Sequence, residues 1–344
     1  MYDSMSKEYI DKAIDDLICV FGVKEEISKK ELVMMASENP KQCVEKIAMY
    51  LGLPVHINLY TVPKHYKQES NIRFETRQLS KTDNSGKGIG GIAAQVFIPE
   101  HLPNYGSPKL KGYPISVRIS ENYFEEPETF IALIAHEMSH VLLKSIWHPM
   151  KDNEFYTDLV PIVFGFGKII DSGRKIETPE SIIPFGYLTD TQYNYARERI
   201  DQILEEYKSF KTMLLEKAIL IQGLIKDLKN DLQKFEQLLK DIYKHGKKLD
   251  YTDSSKIVRF FSPDYTLYVY KKVDKADLKV KVVQKEYMKP LHFNQHLKEK
   301  MIKEIDTLKI IIKGLDFCLK KVKEDIAVLW RNMSFSYKLA KMFQ

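Results

Sequence analysis

The chain has 344 residues, of which 44% are hydrophobic and 29% charged, and its formal net charge is +6. These values are ordinary for a soluble protein with extended helices and allow two or three structural units. No apolar run reaches the roughly 18 residues of a membrane-spanning helix, so no membrane association is expected. Three scattered cysteines argue against a disulfide framework, and the N-terminus shows no secretory signal, so we expect a cytoplasmic protein.

The first 52 residues predict helices. Apolar residues recur there at helical spacing, and Gly52 and Pro54 mark the end of the pattern. Residues 55–60 then alternate in polarity, which predicts a strand. The glycine-rich segment 83–91 predicts a turn or loop, and it lacks the Gly-Lys-Ser/Thr ending of a phosphate-binding loop. Strands are predicted after it, at 92–98 and 113–119.

The most informative motif is His136-Glu137-Met138-Ser139-His140, which follows an apolar run over residues 130–135. Positions i and i+4 share one face of a helix, so both histidines are placed to bind one metal ion. Glu137 lies beside that face, where a carboxylate is positioned to take a proton from water. This pattern predicts a zinc-binding helix with a general base. The alternative is a buried helix that carries two histidines, but unpaired polar groups on so apolar a helix are costly.

A pair of acidic residues follows the motif. Glu154 and Asp158 lie one helical turn apart. Catalytic zinc usually takes three protein ligands, and Glu154 is predicted as the third. Asp158 is predicted to accept a hydrogen bond from the far ring nitrogen of His136 and so to fix the tautomer of that ring. The alternative is a pair of solvated carboxylates at the start of a helix capped by Asn153.

His148 competes with Glu154 as the third ligand. It precedes Pro149 in the connection between the two helices, which favours an extended backbone. Residues 141–146 contain no glycine, so the longer His-x-x-Gly-x-x-His continuation is absent. We therefore expect His148 to contact substrate rather than metal.

Together, these five residues (His136, Glu137, His140, Glu154 and Asp158) resemble the gluzincin class of zinc metallopeptidases. The resemblance is closest to small bacterial gluzincin-like domains with a short connection between the two helices, and it covers roughly residues 50–200. It implies a zincin-like fold, Zn²⁺ as cofactor and hydrolysis of peptide bonds in a peptide or protein substrate.

The resemblance also implies two features that no motif locates. One is an edge strand beside the metal cleft. Residues 92–98 are the candidate, and an ordinary sheet strand is the alternative. The other is a downstream group that contacts the substrate or the transition state. Tyr187 is the candidate for it, with Tyr193 and Tyr195 as alternatives.

From about residue 196, apolar positions step by three and four along two long segments, 196–246 and 291–344. We expect these arms to form an antiparallel coiled-coil hairpin, with a dimeric coil as the alternative. Residues 247–290 contain three alternating runs, at 256–261, 265–270 and 278–283, which predict a small β-meander. Its lysines predict a solvated basic face, and docking of an acidic partner or nucleic acid is the alternative.

These predictions describe an α+β protein. Its segments are an N-terminal helical segment (1–52), a zincin-like metallopeptidase domain (53–195), coiled-coil arm 1 (196–246), the β-meander (247–290), and arm 2 with the C-terminal tail (291–344). The expected function is zinc-dependent peptide hydrolysis with Glu137 as the general base. The alternative is a zinc-binding adaptor or sensor without catalysis. The coiled coil predicts a protein partner or self-association, and a nucleic-acid partner is not expected.

Overall fold

A computed structural model describes residues 6–63, 76–77, 92–178, 181–245, 263–289 and 292–331. The chain divides into two compact units. Unit 1 comprises residues 1–205 and 292–294, and unit 2 comprises residues 206–291 and 295–344. The protein is a mixed helix-and-strand protein, as the sequence predicts.

Unit 1 combines short helices with a small sheet. Its helices are α1 (Lys7–Phe21), α2 (Lys29–Glu38), α3 (Pro40–Tyr50), α4 (Pro127–Ser145), α5 (Glu154–Pro161) and α6 (Gly167–Gly173). Its strands are β1 (His56–Val62), β2 (Thr76–Arg77), β3 (Ile92–Phe97), β4 (Pro114–Ser120), β5 (Lys175–Thr178) and β6 (Ser181–Pro184). A π-helical turn at Ile162–Phe166 joins α5 to α6. The long helix α7 (Asp190–His245) begins in unit 1 and continues into unit 2.

The predicted N-terminal helices are present as α1, α2 and α3. Each begins at a polar residue, and the side chains of Ser6, Ser28 and Asn39 each accept a hydrogen bond from a backbone N–H of the first turn. Pro40 occupies the first position of α3, where the missing N–H has no helical partner to lose. These caps explain why three short helices form instead of one long one.

The sheet positions the helix that carries the histidine motif. Its strand order is β1-β4-β3-β2, with β1 parallel and β3 antiparallel to β4. Along β4, Ile115, Val117 and Ile119 are fully buried, while the alternate residues Ser116 and Arg118 are partly exposed. The inner face therefore packs on the core, and α4 contacts β3 there. On the other side of α4, α6 approaches closely at Gly173, where a Cβ would lie 2.2 Å from the carbonyl oxygen of Glu128.

Within its described residues, unit 2 contains three helices: the rest of α7, α8 (Pro263–Tyr287) and α9 (Gln295–Arg331). The ring of Phe235 on α7 packs against Tyr265 on α8 with centroids 5.4 Å apart. Further along, Gln222 donates to the side chain of Gln284 at 3.4 Å. Because the residue numbers rise along α7 as they fall along α8, these two helices are antiparallel.

The third helix, α9, is antiparallel to α8 as well. Lys279 of α8 forms an ion pair with Glu304 of α9 at 2.5 Å. The hydroxyl of Tyr265 donates to Asp325 at 2.5 Å. The two arms α7 and α9 therefore run parallel, and the predicted antiparallel hairpin of two arms is wrong. Although α7 is 56 residues long, neither it nor any other helix in the described ranges is long and apolar enough to cross a membrane.

The β-meander predicted for 247–290 is also wrong over 263–287, which form α8. The run at 256–261 lies outside the described residues. Valine and tyrosine are common in strands and suggested alternation. The buried positions of this segment instead step by four and three, as on one face of a helix: Val269, Val273, Ala276, Val280, Val283 and Tyr287. Packing of that stripe against two other helices overrides the local strand preference of the residues.

Candidate metal centre

Two neighbouring helices of unit 1 bring together three side chains that could hold a metal ion. His136 and His140 lie one turn apart on α4, and Glu154 is the first residue of α5. The Nε2 atom of each imidazole lies 3.3 Å from Oε2 of Glu154. Ligand atoms about 2.0–2.2 Å from one tetrahedral zinc ion stand roughly 3.4 Å apart. The three ligand groups, whose atoms lie within 4.8 Å of one another, therefore have separations that suit a single ion.

Two of these ligand atoms are buried and face each other at 3.3 Å. Nε2 of His136 and Oε2 of Glu154 are shielded from solvent, and neither has a well-aligned hydrogen bond within the described ranges. A buried polar atom left unsatisfied costs about 1–3 kcal/mol. A cation bound between them removes that cost, so the residues present fit a divalent metal ion.

The charges at the centre also favour a cation. Burial alone lowers the pKa of His136, but the hydrogen bond to Asp158 and the contact with Glu154 outweigh burial and raise this pKa to about 10. Burial alone raises the pKa of Glu154, but its contacts with His136 and His140 lower it to about 2. Near neutral pH, the metal-free centre therefore holds a protonated imidazole beside a carboxylate. A bound metal ion replaces that proton and meets the same negative groups.

Asp158 orients His136 and also binds a backbone loop. Its Oδ1 lies 2.7 Å from Nδ1 of His136. Since Nδ1–H donates to this carboxylate, Nε2 of His136 keeps its lone pair for a metal ion. Oδ2 of Asp158 accepts hydrogen bonds from the backbone N–H groups of Tyr187 and Leu188, at 2.5 and 3.1 Å. The helical spacing predicts the first contact, while the contact with the loop has no sequence signal.

Thr157 contacts His140 as Asp158 contacts His136. The sequence motif does not indicate this role of Thr157. Its buried Oγ1 lies 3.4 Å from Nδ1 of His140 and donates to the carbonyl oxygen of Asn153 at 3.1 Å. Because the hydroxyl proton is directed at Asn153, the oxygen accepts from Nδ1–H of His140. This arrangement turns the lone pair of Nε2 toward Glu154. Helical spacing was the available signal, since Thr157 follows Glu154 by three residues on α5.

Glu137 is fully buried and is bound to the sheet. Its Oε2 accepts a hydrogen bond from the backbone N–H of Val96 at 3.1 Å. Val96 lies on β3, the strand expected beside the metal cleft, so this strand contacts the residue that follows His136. β3 pairs with β2 through Ala94 and Ile92 and with β4 on its other side. It is therefore an inner strand of the sheet, and the prediction that residues 92–98 form an edge strand is wrong.

A narrow apolar pocket with a cavity volume of about 40 Å³ adjoins His136 and Asp158. Its apolar walls come from α4, α5, α6 and the segment before and at the start of α7: Ala132, Leu133, Pro161, Ile170, Phe185, Leu188 and Tyr193. Arg174 closes one side, where its Nη2 donates to the carbonyl oxygen of Leu188 at 2.8 Å. The guanidinium also lies 4.1 Å from the centroid of the Tyr193 ring. The pocket thus places an apolar surface next to the metal ligands.

Of the three candidate tyrosines, Tyr187 is the one at the metal centre. Its ring stacks on the imidazole of His136, with centroids 6.0 Å apart and an interplanar angle of 22°. The hydroxyls of Tyr193 and Tyr195 donate to aspartate side chains elsewhere in unit 1, at 2.6 and 2.9 Å. Their contacts are typical of residues that stabilise the fold.

His148 lies apart from the ligand cluster. Its Nδ1 accepts a hydrogen bond from the backbone N–H of Met150 at 3.1 Å, and its ring packs against Tyr156 with centroids 5.4 Å apart. Burial lowers the pKa of His148, although Asp16 opposes this shift. These contacts fix the turn between α4 and α5 and do not direct the ring to the metal ligands.

No protein-family model, curated protein or solved structure matches this chain. The resemblance to gluzincins therefore rests on the five motif residues and on the contacts described above.

Proposed function

We propose that this protein is a zinc-dependent metallopeptidase of the gluzincin type. The observation that carries the proposal is the convergence of His136, His140 and Glu154, with 3.3 Å between each imidazole Nε2 and the carboxylate. Two imidazoles and one carboxylate suit zinc. A structural zinc site takes four protein ligands, whereas three ligands leave a position for water or substrate, as hydrolysis requires.

The chain supplies the acid–base chemistry and the orientation of the ligands. Zinc, when bound, acts as a Lewis acid that polarises the substrate carbonyl and acidifies water. Glu137 takes a proton from the attacking water and delivers it to the leaving amine. The N–H of Val96 anchors one oxygen of this carboxylate. Asp158 and Thr157 hold the two imidazoles with Nε2 facing the metal position.

A peptide is the substrate class that the surroundings favour. β3 contacts Glu137 through the N–H of Val96, but it pairs with β4 and with β2, so the proposal does not depend on a peptide joining this strand. The apolar pocket next to His136 is then placed to accept one side chain beside the cleaved bond. Because this pocket is narrow, we expect a preference for substrates with a small apolar residue at that position.

A second function, binding without turnover, is favoured by unit 2. Its helices expose large apolar side chains in addition to their buried stripes. Ile219, Ile310 and Phe317 are 63%, 71% and 68% exposed. Contiguous exposed apolar surface is typical of sites that bind another protein, and Ile310 and Phe317 lie two turns apart on the same side of α9. In this case the metal centre would stabilise an adaptor or sensor instead of performing hydrolysis.

The Glu137→Gln variant separates the two functions. We expect the native protein and this variant each to bind one zinc ion per chain by elemental analysis. Only the native protein should cleave denatured casein or a peptide library, and a chelator should stop it. Loss of a general base lowers the rate by about 10²–10⁴-fold. Glu125→Gln, an exposed change just before α4, is the matched control and should cleave normally.

His140→Ala tests the metal centre itself, because it removes one of three ligands. We expect its zinc content to fall far below one ion per chain. Undiminished hydrolysis by Glu137→Gln would exclude the mechanism, and native zinc content in His140→Ala would exclude the site. Stoichiometric zinc in a native protein that cleaves no peptide would favour the adaptor.

A further inference from the structure

Helix α9 presents an exposed apolar pair on the side opposite its buried residues. Ile310 and Phe317 are 71% and 68% exposed. They lie seven residues, or two turns, apart and therefore share one face of the helix. The other side of α9 packs within unit 2 through a regular stripe of buried residues: Met301, Ile305, Leu308, Leu315, Leu319 and Val322.

Charged residues flank this apolar pair on the same face, two before Ile310 and two after Phe317. Counted along α9, the six positions step by three, four, seven, four and three residues, which keeps them on one side of a helix. Each of the six is at least partly exposed. The set, called here the outer stripe of α9, is Lys303, Asp306, Ile310, Phe317, Lys321 and Glu324.

The outer stripe is complementary to itself when its direction is reversed. In an antiparallel pair of α9 helices centred between residues 313 and 314, Lys303 faces Glu324 of the second copy, and Asp306 faces Lys321. The two apolar residues face each other in the same way. A two-fold interface requires a surface that matches itself, which this order of charges provides. In a parallel pair, each of the four charged residues would instead face its own like charge.

A glycine near the centre of the outer stripe leaves room for this contact. Gly314 lies four residues after Ile310 and three before Phe317, so it adjoins both. A Cβ added there would meet no atom of the described residues within 4 Å, beyond its own helical turn. Packing within the chain therefore does not require a glycine, although glycine is less favourable than alanine inside a helix. Since helical side chains lean toward the N-terminus, both Phe317 rings of an antiparallel pair lean toward the centre, where Gly314 leaves space.

We propose that the outer stripe of α9 is a self-association surface, on which a second copy of this chain binds in the antiparallel direction. The stripe covers residues 303–324, which is about 32 Å of helix. A pair of helices in contact over this length is at the low end of specific interfaces, so we expect a Kd in the micromolar range. The surface uses no residue of the metal centre. It gives a particular form to the self-association that the coiled-coil pattern predicts.

Sedimentation of the full chain over about 1–500 μM tests the proposal. We expect an equilibrium between monomer and dimer that depends on concentration. Ile310→Ser should raise the Kd at least tenfold, because this residue contacts the second copy at two symmetric places. Ile219→Ser is the matched control, since it changes an isoleucine that is 63% exposed on α7, and its Kd should be native.

Charge reversal tests the direction of the pair. Lys303 and Glu324 are about 32 Å apart on one helix, so they do not interact within one copy. Asp306 and Lys321 also contact neighbours on their own helix, which makes the outer pair the cleaner test. Lys303→Glu places like charges together at two symmetric contacts and should raise the Kd several-fold. Combining it with Glu324→Lys should restore the native Kd, because an antiparallel pair brings these two positions together.

A larger side chain at Gly314 tests the space at the centre. Gly314→Gln should raise the Kd at least tenfold, while Tm stays the same or rises because glutamine favours a helix. Gly223→Gln is the control. It adds the same side chain to α7 at a glycine where a Cβ would also meet no atom of the described residues within 4 Å, and its Kd should be native.

Three results would overturn the proposed surface. They are a monomer at every concentration, a native Kd in Ile310→Ser, and a double charge variant whose Kd stays raised. Zinc content should be native in all of these variants, so a failure here is distinguishable from a failure of the proposed metallopeptidase function.

Discussion

Replacing Asp158 with asparagine tests whether metal binding depends on a residue that does not touch the metal. Oδ1 of Asp158 lies 2.7 Å from Nδ1 of His136, and Oδ2 accepts two backbone N–H groups from the loop at Tyr187 and Leu188. Asparagine keeps the shape of the side chain but loses the negative charge and one acceptor oxygen. Either the imidazole or the loop then faces an amide NH₂ where it needs an acceptor.

The expected loss follows from these contacts. Hydrogen-bond partners of metal-binding histidines contribute about 10–100-fold to metal affinity. This range corresponds to about 1.4–2.7 kcal/mol. The carboxylate also favours a proton on His136, but a divalent ion carries twice the charge and therefore loses more when the carboxylate is removed. We expect the Kd for zinc to rise about 10–100-fold in Asp158→Asn.

Competition with a chromophoric chelator at neutral pH measures this Kd. Asp152→Asn, an exposed change in the turn before α5, is the control and should bind zinc normally. Gly186→Ala tests the loop contact independently of the imidazole contact, because it leaves the carboxylate of Asp158 in place. Gly186 has a φ of +89°, and a Cβ there would lie 2.9 Å from Oδ2 of Asp158. Native zinc affinity in Asp158→Asn would refute the reasoning, whatever the result for Gly186→Ala.

Two further predictions concern the imidazoles. Thr157→Val removes the hydroxyl that accepts a hydrogen bond from His140, so zinc affinity should fall several-fold. Thr157→Ser keeps a hydroxyl and should retain the native zinc affinity. Equal zinc affinities of the two variants would contradict the assigned tautomer of His140. In metal-free protein, the pKa of His136 is raised to about 10 from an ordinary value of about 6.5. The folded state therefore gains stability that is complete below about pH 6.5 and is lost as pH rises to about 10. The Tm of the native protein, measured in the presence of a chelator, should fall over this pH range, and the Tm of His136→Gln should fall less. An identical dependence of Tm on pH in the variant would count against the raised pKa of His136.

The contacts that follow helical periodicity were predictable from the sequence. His136, His140, Glu154 and Asp158 are placed by the spacing of residues within α4 and α5, and a short connection leaves few ways to pack the two helices. Contacts that depend on distant segments were not predictable. The bond from Val96 to Glu137 depends on where β3 lies against α4, which no local pattern encodes.

The errors in unit 2 have one physical cause. Short runs such as 265–270 and 278–283 carry the β-branched and aromatic residues that favour strands. Their helical period becomes evident only over the whole of 263–287, where the buried residues step by four and three. Once α8 is a helix, the chain reverses twice between α7 and α9, so the two arms have to run in the same direction.

The carboxylate of Asp158 joins His136, a candidate metal ligand, to residues 187 and 188, which lie just before the first residue of α7. Coupling between two binding events is reciprocal, so ion occupancy and the geometry of that loop influence each other by equal free energies. A partner that binds the loop and breaks these hydrogen bonds would lower the affinity for the ion by some factor. The ion would lower the affinity for that partner by the same factor. If the proposed ion binds at this centre, its occupancy would therefore be coupled to a backbone segment that does not contact it.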